Sequence, residues 1–262
     1  YKRALVIREK ALGHNHVDVA HTLHGLGMLY FQQGLYAESE KLLNRSLAIR
    51  EKELGSDSLD VADTLNDIAL LHDRQGLSKD AEELYKRSLA IREKKVGPND
   101  TLVALSIANL GTNLSNQKRY DEAELLIKRA LAIREKVLGP QNLDVAASLH
   151  SLGWNYYYQK RYSDAEAVEV RALKIREKAL GQNHIDVAIS LSDLADLYDT
   201  QGRVQESEAL YKRALLIKQN ISGSDNIGVA ETLHNFSYSL TNQSRYAEAE
   251  KLIKRSKEIK EK

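Results

Sequence analysis

Residues 129–162 read RALAIREKVLGPQNLDVAASLHSLGWNYYYQKRY, and two properties of this stretch decide how the rest of the chain is read. Its outer parts recur elsewhere at a constant step, while its centre, Trp154-Asn155-Tyr156-Tyr157-Tyr158, breaks the pattern. The phrase Ile-Arg-Glu-Lys begins at Ile7, Ile49, Ile91, Ile133 and Ile175, and in altered form at Ile217, so every step is 42 residues. Gly13, Gly55, Gly97, Gly139, Gly181 and Gly223 keep the same step. So do Val19, Val61, Val103, Val145, Val187 and Val229, each followed by alanine. Gln33 to Gln243 and Arg45 to Arg255 supply two further combs. Four registers in phase mark a repeat protein before any helix or strand is assigned.

Within a repeat both halves carry helical periodicity. Leu23, Leu26 and Tyr30 fall at i, i+3 and i+7, and Leu42, Leu43, Leu47 and Ile49 form a second apolar stripe. The glycine after each Arg-Glu-Lys phrase is placed as a left-handed helix C-cap, with lysine in the preceding turn to suit the helix dipole. Three residues on stand His16, Ser58, Asp100, Asn142, His184 and Asn226, four of them good N-cap types. Thirteen helices follow: a lone second helix at 1–12, then pairs at about 17–54, 59–96, 101–138, 143–180, 185–222 and 227–262. Glycine inside a helix costs about 1 kcal/mol relative to alanine, so Gly27, Gly111 and Gly153 are expected to mark close approach of two helices. One pair cannot bury both of its stripes, whereas stacked neighbours can. The expected fold is all-α, a single right-handed superhelical solenoid of antiparallel helix pairs over 1–262. Lys257 and Glu258 replace the Leu-Ala of earlier repeats, which suits a polar cap. Tyr1 lies inside a helical pattern, which reads as a cut end.

Composition narrows the function classes. Lys plus Arg number 38 and Asp plus Glu 37, so no global field would gather nucleic acid or anionic membrane. No apolar run approaches the length of a membrane span. Cysteine is absent, which removes disulfides, thiolate metal sites and a cysteine nucleophile and fits a reducing, cytoplasmic setting. Neither a Gly-x-Ser-x-Gly, a phosphate-binding loop nor a His-Glu-x-x-His occurs. The reading is of a non-enzyme without cofactor, metal or small-molecule substrate. The recurring His24, His150 and His234 read as contacts rather than zinc ligands. The lysines and arginines of the Arg-Glu-Lys phrase are expected on an outer helix face.

Leu23, Leu26, Gly27 and Tyr30, followed by Ser39 and Leu43, resemble the signature of the tetratricopeptide repeat. The second repeat matches it as Leu65, Ile68, Ala69, His72, Ala81 and Tyr85. The 42-residue period and the Gly-x4-Asp-Val-Ala joint are similar to the long repeats of kinesin light chains and nephrocystin-3. That resemblance implies a protein-interaction scaffold or adaptor, with first helices lining a concave groove for a partner's peptide segment. An alternative is the regulatory or sensor region of a larger multidomain protein with a separate effector or enzyme domain.

Carried over by position, the groove residues include Met28, Phe31, Asp67, Asp73, Asn109, His150, Trp154, Tyr157, Tyr158, Asp193, Asp196, Asn235 and Tyr238. Groove positions hold seven carboxylates (Asp63, Asp67, Asp73, Asp193, Asp196, Asp199 and Glu231) against one basic residue, Arg74. This acidity suits a protein or peptide partner with a basic or polar motif. The plain alternative is that these carboxylates only solvate helix faces. Trp154, Tyr157 and Tyr158 share a face with His150 and Ser151, away from the core side of Leu149, Leu152 and Tyr156. Aromatic residues in that position are peptide anchors, or else Trp154 fills space against the neighbouring pair. The carboxylate clamp of chaperone-binding arrays is not expected, because the positions equivalent to 24 and 28 hold no lysine or arginine. Asp67 and Asp193 at the position where kinesin light chains repeat asparagine argue against an acidic cargo peptide.

Overall fold

The computed structural model describes residues 1–261; the last residue of the expected final pair, Lys262, lies outside the described residues. Thirteen α-helices and no strand occur among the described residues: α1 Lys2–Leu12, α2 Val17–Gln32, α3 Tyr36–Leu54, α4 Leu59–Arg74, α5 Ser78–Val96, α6 Thr101–Asn116, α7 Tyr120–Leu138, α8 Leu143–Tyr158, α9 Tyr162–Leu180, α10 Ile185–Thr200, α11 Val204–Ser222, α12 Ile227–Asn242 and α13 Tyr246–Lys260. They group into two compact units, Tyr1–Val137 and Leu138–Lys262. In each unit a helix packs on its partner and on the next pair in chain order.

The 42-residue step is a packing step. Val19, Ala20 and Leu23 are buried with Ile49, and Val61, Ala62 and Leu65 with Ile91. Val103, Ala104 and Ile107 join Ile133, and Val187, Ala188 and Leu191 join Ile217. The valine–alanine pair at each joint is wholly inaccessible in all six repeats. Valine buried to that degree is stabilising by roughly 1.5–3 kcal/mol. The helical glycines sit where they were expected to be needed. A Cβ on Gly27 would lie 2.9 Å from Leu43 Cγ, and one on Gly111 2.7 Å from Ile127 Cγ1.

All six residues at the cap position, the four good N-cap types among them, accept a hydrogen bond from the first helical turn. His16 and His184, which are not standard cap types, do so through Nδ1. The C-cap glycines differ from expectation. Gly13, Gly55, Gly181 and Gly223 have φ 77–86° but ψ 149–163°. That is the mirror-extended region essentially restricted to glycine, not the left-handed helix.

The arginines of the Arg-Glu-Lys phrase are not on an outer face. Arg50, Arg92 and Arg134 are only 2%, 2% and 6% exposed. Within a unit this position reaches across to the start of the next pair, where a hydroxyl lies fourteen residues on. Arg8 Nη1 donates to Thr22 Oγ1 (2.7 Å), Arg50 Nη1 to Thr64 Oγ1 (2.6 Å) and Arg92 Nη1 to Ser106 Oγ (2.7 Å). Arg176 donates to Ser190, and Lys218 Nζ to Thr232 Oγ1 at 2.7 Å. Arg8, Arg50 and Arg92 also cap a backbone carbonyl of that helix. The Nη1 donors are thereby satisfied by a hydroxyl and by the second lone pair of a helix carbonyl, whereas Nε of Arg50 and of Arg92 is buried without a partner. A second, more exposed ladder links Arg45 to Glu9, Arg87 to Glu51, Arg129 to Glu93 and Arg213 to Glu177.

Candidate peptide-binding site

In the first unit the candidate residues hydrogen-bond to one another across adjacent first helices. His24 Nε2 lies 2.8 Å from Asp67 Oδ2, Asn66 Nδ2 donates to Asp67 Oδ1 (3.4 Å), and Asn109 Nδ2 donates to Asn66 Oδ1 (2.8 Å). A chain of polar contacts thus joins α2, α4 and α6. Asp73 accepts from Asn113 Nδ2 at 2.7 Å and borders a cavity of about 320 Å³ with Leu70, Arg74 and Asn109. Met28 and Phe31 pack, half-buried, against Leu43, Ile68 and Leu71. Asp63, which the sequence places in an acidic groove, is held by Arg92 Nη2 at 2.7 Å.

The second unit brings the other eight candidates together on α8, α10 and α12. Trp154, Tyr157 and Tyr158 form a mutually packed trio, with ring centroids 5.4 Å (154–157), 5.9 Å (154–158) and 5.8 Å (157–158) apart. Such aromatic pairs are worth about 0.5–1.5 kcal/mol beyond their buried area, so the patch is preorganised. Tyr157 is braced further by Tyr162, at 5.7 Å between centroids, and by Thr200, whose hydroxyl lies 3.2 Å from its own. Tyr158 is 54% exposed and Tyr238 67%. Tyr156, by contrast, is buried. Beside the trio opens a cavity of about 430 Å³, bordered by Trp154, Tyr157, Asp196, Asp199, Asn235 and Tyr238. Its floor is α10: Asp196 accepts from the Tyr211 hydroxyl and from Asn235 Nδ2 (3.3 Å), and Asp199 from Ser239 Oγ (2.7 Å).

Beneath Trp154 lies a charged cluster. His150 Nδ1 is 3.1 Å from Glu169 Oε1 and 3.8 Å from Asp193 Oδ2, and its ring meets that of Trp154 edge-on. Glu169 is 4% exposed and occupies the position that Leu43, Tyr85, Ile127 and Tyr211 fill with core side chains. Gly153 makes the room: a Cβ there would come within 2.3 Å of Glu169 Oε1. Burial pushes the Asp193 carboxyl up to about 7, with Glu169 and Asp196 adding to the rise and His150 opposing it. Burial works against the charged imidazole of His150, but Glu169 and Asp193 outweigh it and raise its pKa. Sequence reasoning took His150 and Asp193 one at a time and passed over Glu169. The signal was present as the one carboxylate on a comb of apolar and tyrosine residues.

These observations meet in comparisons with known proteins. The tetratricopeptide repeat profile matches residues 1–52, 18–94, 100–178, 170–215 and 186–262. The chain belongs to the tetratricopeptide repeat family. A comparison with curated proteins yields no significant match by sequence. Solved structures similar to this tetratricopeptide repeat chain include the nearly identical repeats of a Podosopora anserina protein described as a kinesin light chain. That structure has TM-score 0.64 and 22% identity, over 76% of this chain and 94% of that one. BtubC (BKLC) from P. vanneervenii has TM-score 0.64 and 20% identity, over 99% and 90%. Aspartyl phosphate phosphatase F from Bacillus subtilis has TM-score 0.70 and 12% identity, over 97% and 74%. At these identities the likeness is one of fold. No helix among the described residues is long and apolar enough to cross a membrane.

Proposed function

We propose that this tetratricopeptide repeat protein is a non-enzymatic interaction scaffold. It holds a peptide segment of a partner, with a basic or polar motif, on the first-helix face of its second unit and acts in the cytoplasm. The observation that carries this reading is the preorganised trio of Trp154, Tyr157 and Tyr158 at the lip of a cavity of about 430 Å³. Rigid aromatic side chains bring large contact area at little entropic cost, which is why they dominate binding hot spots. A cavity of that size with a few convergent polar groups is the usual form of a binding site. One neighbour of similar fold, a Rap protein with TM-score 0.66 and 16% identity, was solved in complex with Competence and Sporulation Factor. The test is capture of partners by the wild-type chain and by a Trp154→Ala/Tyr158→Ala variant with unchanged helical circular dichroism. Loss of at least tenfold in affinity for a captured partner is expected. Equal capture by both chains would overturn the assignment of the face.

A further inference from the structure

We infer that the cavity between α8, α10 and α12 is a seat for the guanidinium of a partner's arginine, held by Asp196 and Asp199 between the rings of Trp154, Tyr157 and Tyr238. The inference rests on the peptide reading above and names the side chain that the face selects.

Asp193, Asp196 and Asp199 recur every third residue of α10 and so lie along one side of it. Among the described residues no lysine or arginine pairs with any of them. Asp196 and Asp199 receive only neutral donors, from Tyr211, Asn235 and Ser239. Asp193 Oδ2 is buried without a hydrogen-bond donor, His150 standing off at 3.8 Å. Arg176 and Lys218, the cations of α9 and α11 that feel this row, donate instead to Ser190 and Thr232. In the first unit Asp63 is paired with Arg92, and His24 lies closer to Asp67 than His150 does to Asp193, while Asp73, the repeat equivalent of Asp199, likewise accepts from the neutral Asn113. Half-buried carboxylates lacking a counter-ion are costly, and a cation delivered into the cavity relieves that cost.

The walls decide which cation. Trp154, Tyr157 and Tyr238 border the same cavity as the two aspartates. A planar guanidinium can stack on such rings while its edge donates to more than one carboxylate oxygen. An ammonium is a compact, strongly hydrated charge and gains less from either contact. The cavity of about 430 Å³ lies within the range that holds small ligands and side chains.

The experiment selects phage-displayed random dodecapeptides on the intact chain and counts phage retained by wild type against the Trp154→Ala/Tyr158→Ala variant. Peptides that depend on the aromatic face are then synthesised with arginine, lysine or citrulline at each enriched position and titrated, following the emission of Trp154, the chain's only tryptophan. The expected result is enrichment of arginine and at least a tenfold loss with citrulline, an isosteric neutral side chain, with lysine between the two. Asp196→Asn/Asp199→Asn should bind the arginine peptide no better than wild type binds the citrulline one; Asp199→Asn alone stands in if the double variant unfolds. A face-dependent pool without arginine, or equal affinity for the citrulline peptide, would overturn the seat and leave the peptide face standing. Absence of any face-dependent pool would overturn both. N-acetylarginine amide that binds as tightly as the whole peptide would assign the cavity to a free small molecule and overturn the peptide source.

Discussion

Asp193 shows how one side chain ties stability to pH. Its folded-state carboxyl titrates at about 7, against an ordinary value of 3.8. Between those values the folded chain binds more protons than the unfolded chain, so this group's contribution falls as pH rises through neutrality. His150 acts in the same direction, because its pKa is also raised. Asp193→Asn keeps the shape and removes the charge. Chemical denaturation should therefore find the variant about 2 kcal/mol more stable than wild type at pH 8, the gain shrinking towards zero at pH 4. A variant equally stabilised at both values would contradict the assignment. Turn residues make a second prediction at this scale. Lys118, Lys160 and Ser244 have φ of 60–63° at the position where other repeats have Gly34, Gly76 and Gly202. A left-handed conformation costs a side-chain-bearing residue about 1–2 kcal/mol, and glycine returns part of that as lost chain entropy. Lys160→Gly should raise stability by about 0.5–1 kcal/mol, measured as a higher midpoint in a thermal melt.

At the scale of the helix pair, two arginine ladders run along the chain and are not equivalent. Arg92 is buried and bonds to Ser106, to the Leu102 carbonyl and to Asp63. Arg87 is 42% exposed and meets Glu51 at 2.5 Å. Removing the first leaves buried acceptors without donors, which costs of order 3 kcal/mol. Removing the second breaks a solvated pair worth under about 1 kcal/mol. Urea denaturation of Arg92→Ala and Arg87→Ala should show that difference; similar losses would mean that the burial of Arg92 contributes nothing special. Both ladders were present in the sequence as combs of period 42. Arg8, Arg50, Arg92 and Arg176 pair with Thr22, Thr64, Ser106 and Ser190, each hydroxyl fourteen residues on. Alternation of Arg with Glu and Lys had suggested a solvated face. What placed the arginine inside was a hydroxyl and a carbonyl of the neighbouring helix, Thr64 and Asp60 for Arg50 and Ser106 and Leu102 for Arg92, which no local pattern displays.

At a larger scale, each unit is a succession of helix pairs that touch their chain neighbours within it. Stability in such proteins is approximately a sum of local and nearest-neighbour contributions. Arg92→Ala should accordingly increase hydrogen exchange in α4, α5 and α6 while leaving α12 and α13 at wild-type protection. A uniform loss over all thirteen helices would show a longer-ranged cooperative unit. The nearly balanced charge, 38 basic against 37 acidic residues, conceals a local imbalance on α10. On the function proposed above, partner choice depends on that patch and not on the net charge of +1.

The sequence by itself determined the repeat length, the helix pairs, four of the six N-caps and the family. Each of these follows from contacts within a pair or between successive pairs, and a strict 42-residue period writes such contacts out six times. It also separated Trp154, Tyr157 and Tyr158 from Tyr156, because helical spacing alone assigns the two faces. Tertiary structure decided which polar residues are spent on the scaffold. Asp63 and Asp67 find partners in Arg92 and His24, 29 and 43 residues away, while Asp196 and Asp199 meet only neutral donors. It also brought Glu169, His150 and Asp193, from three different helices, together under Trp154. The physical reason is that hydrogen bonds and desolvation depend on neighbours in space, and the spacing within one helix records only those of its own faces.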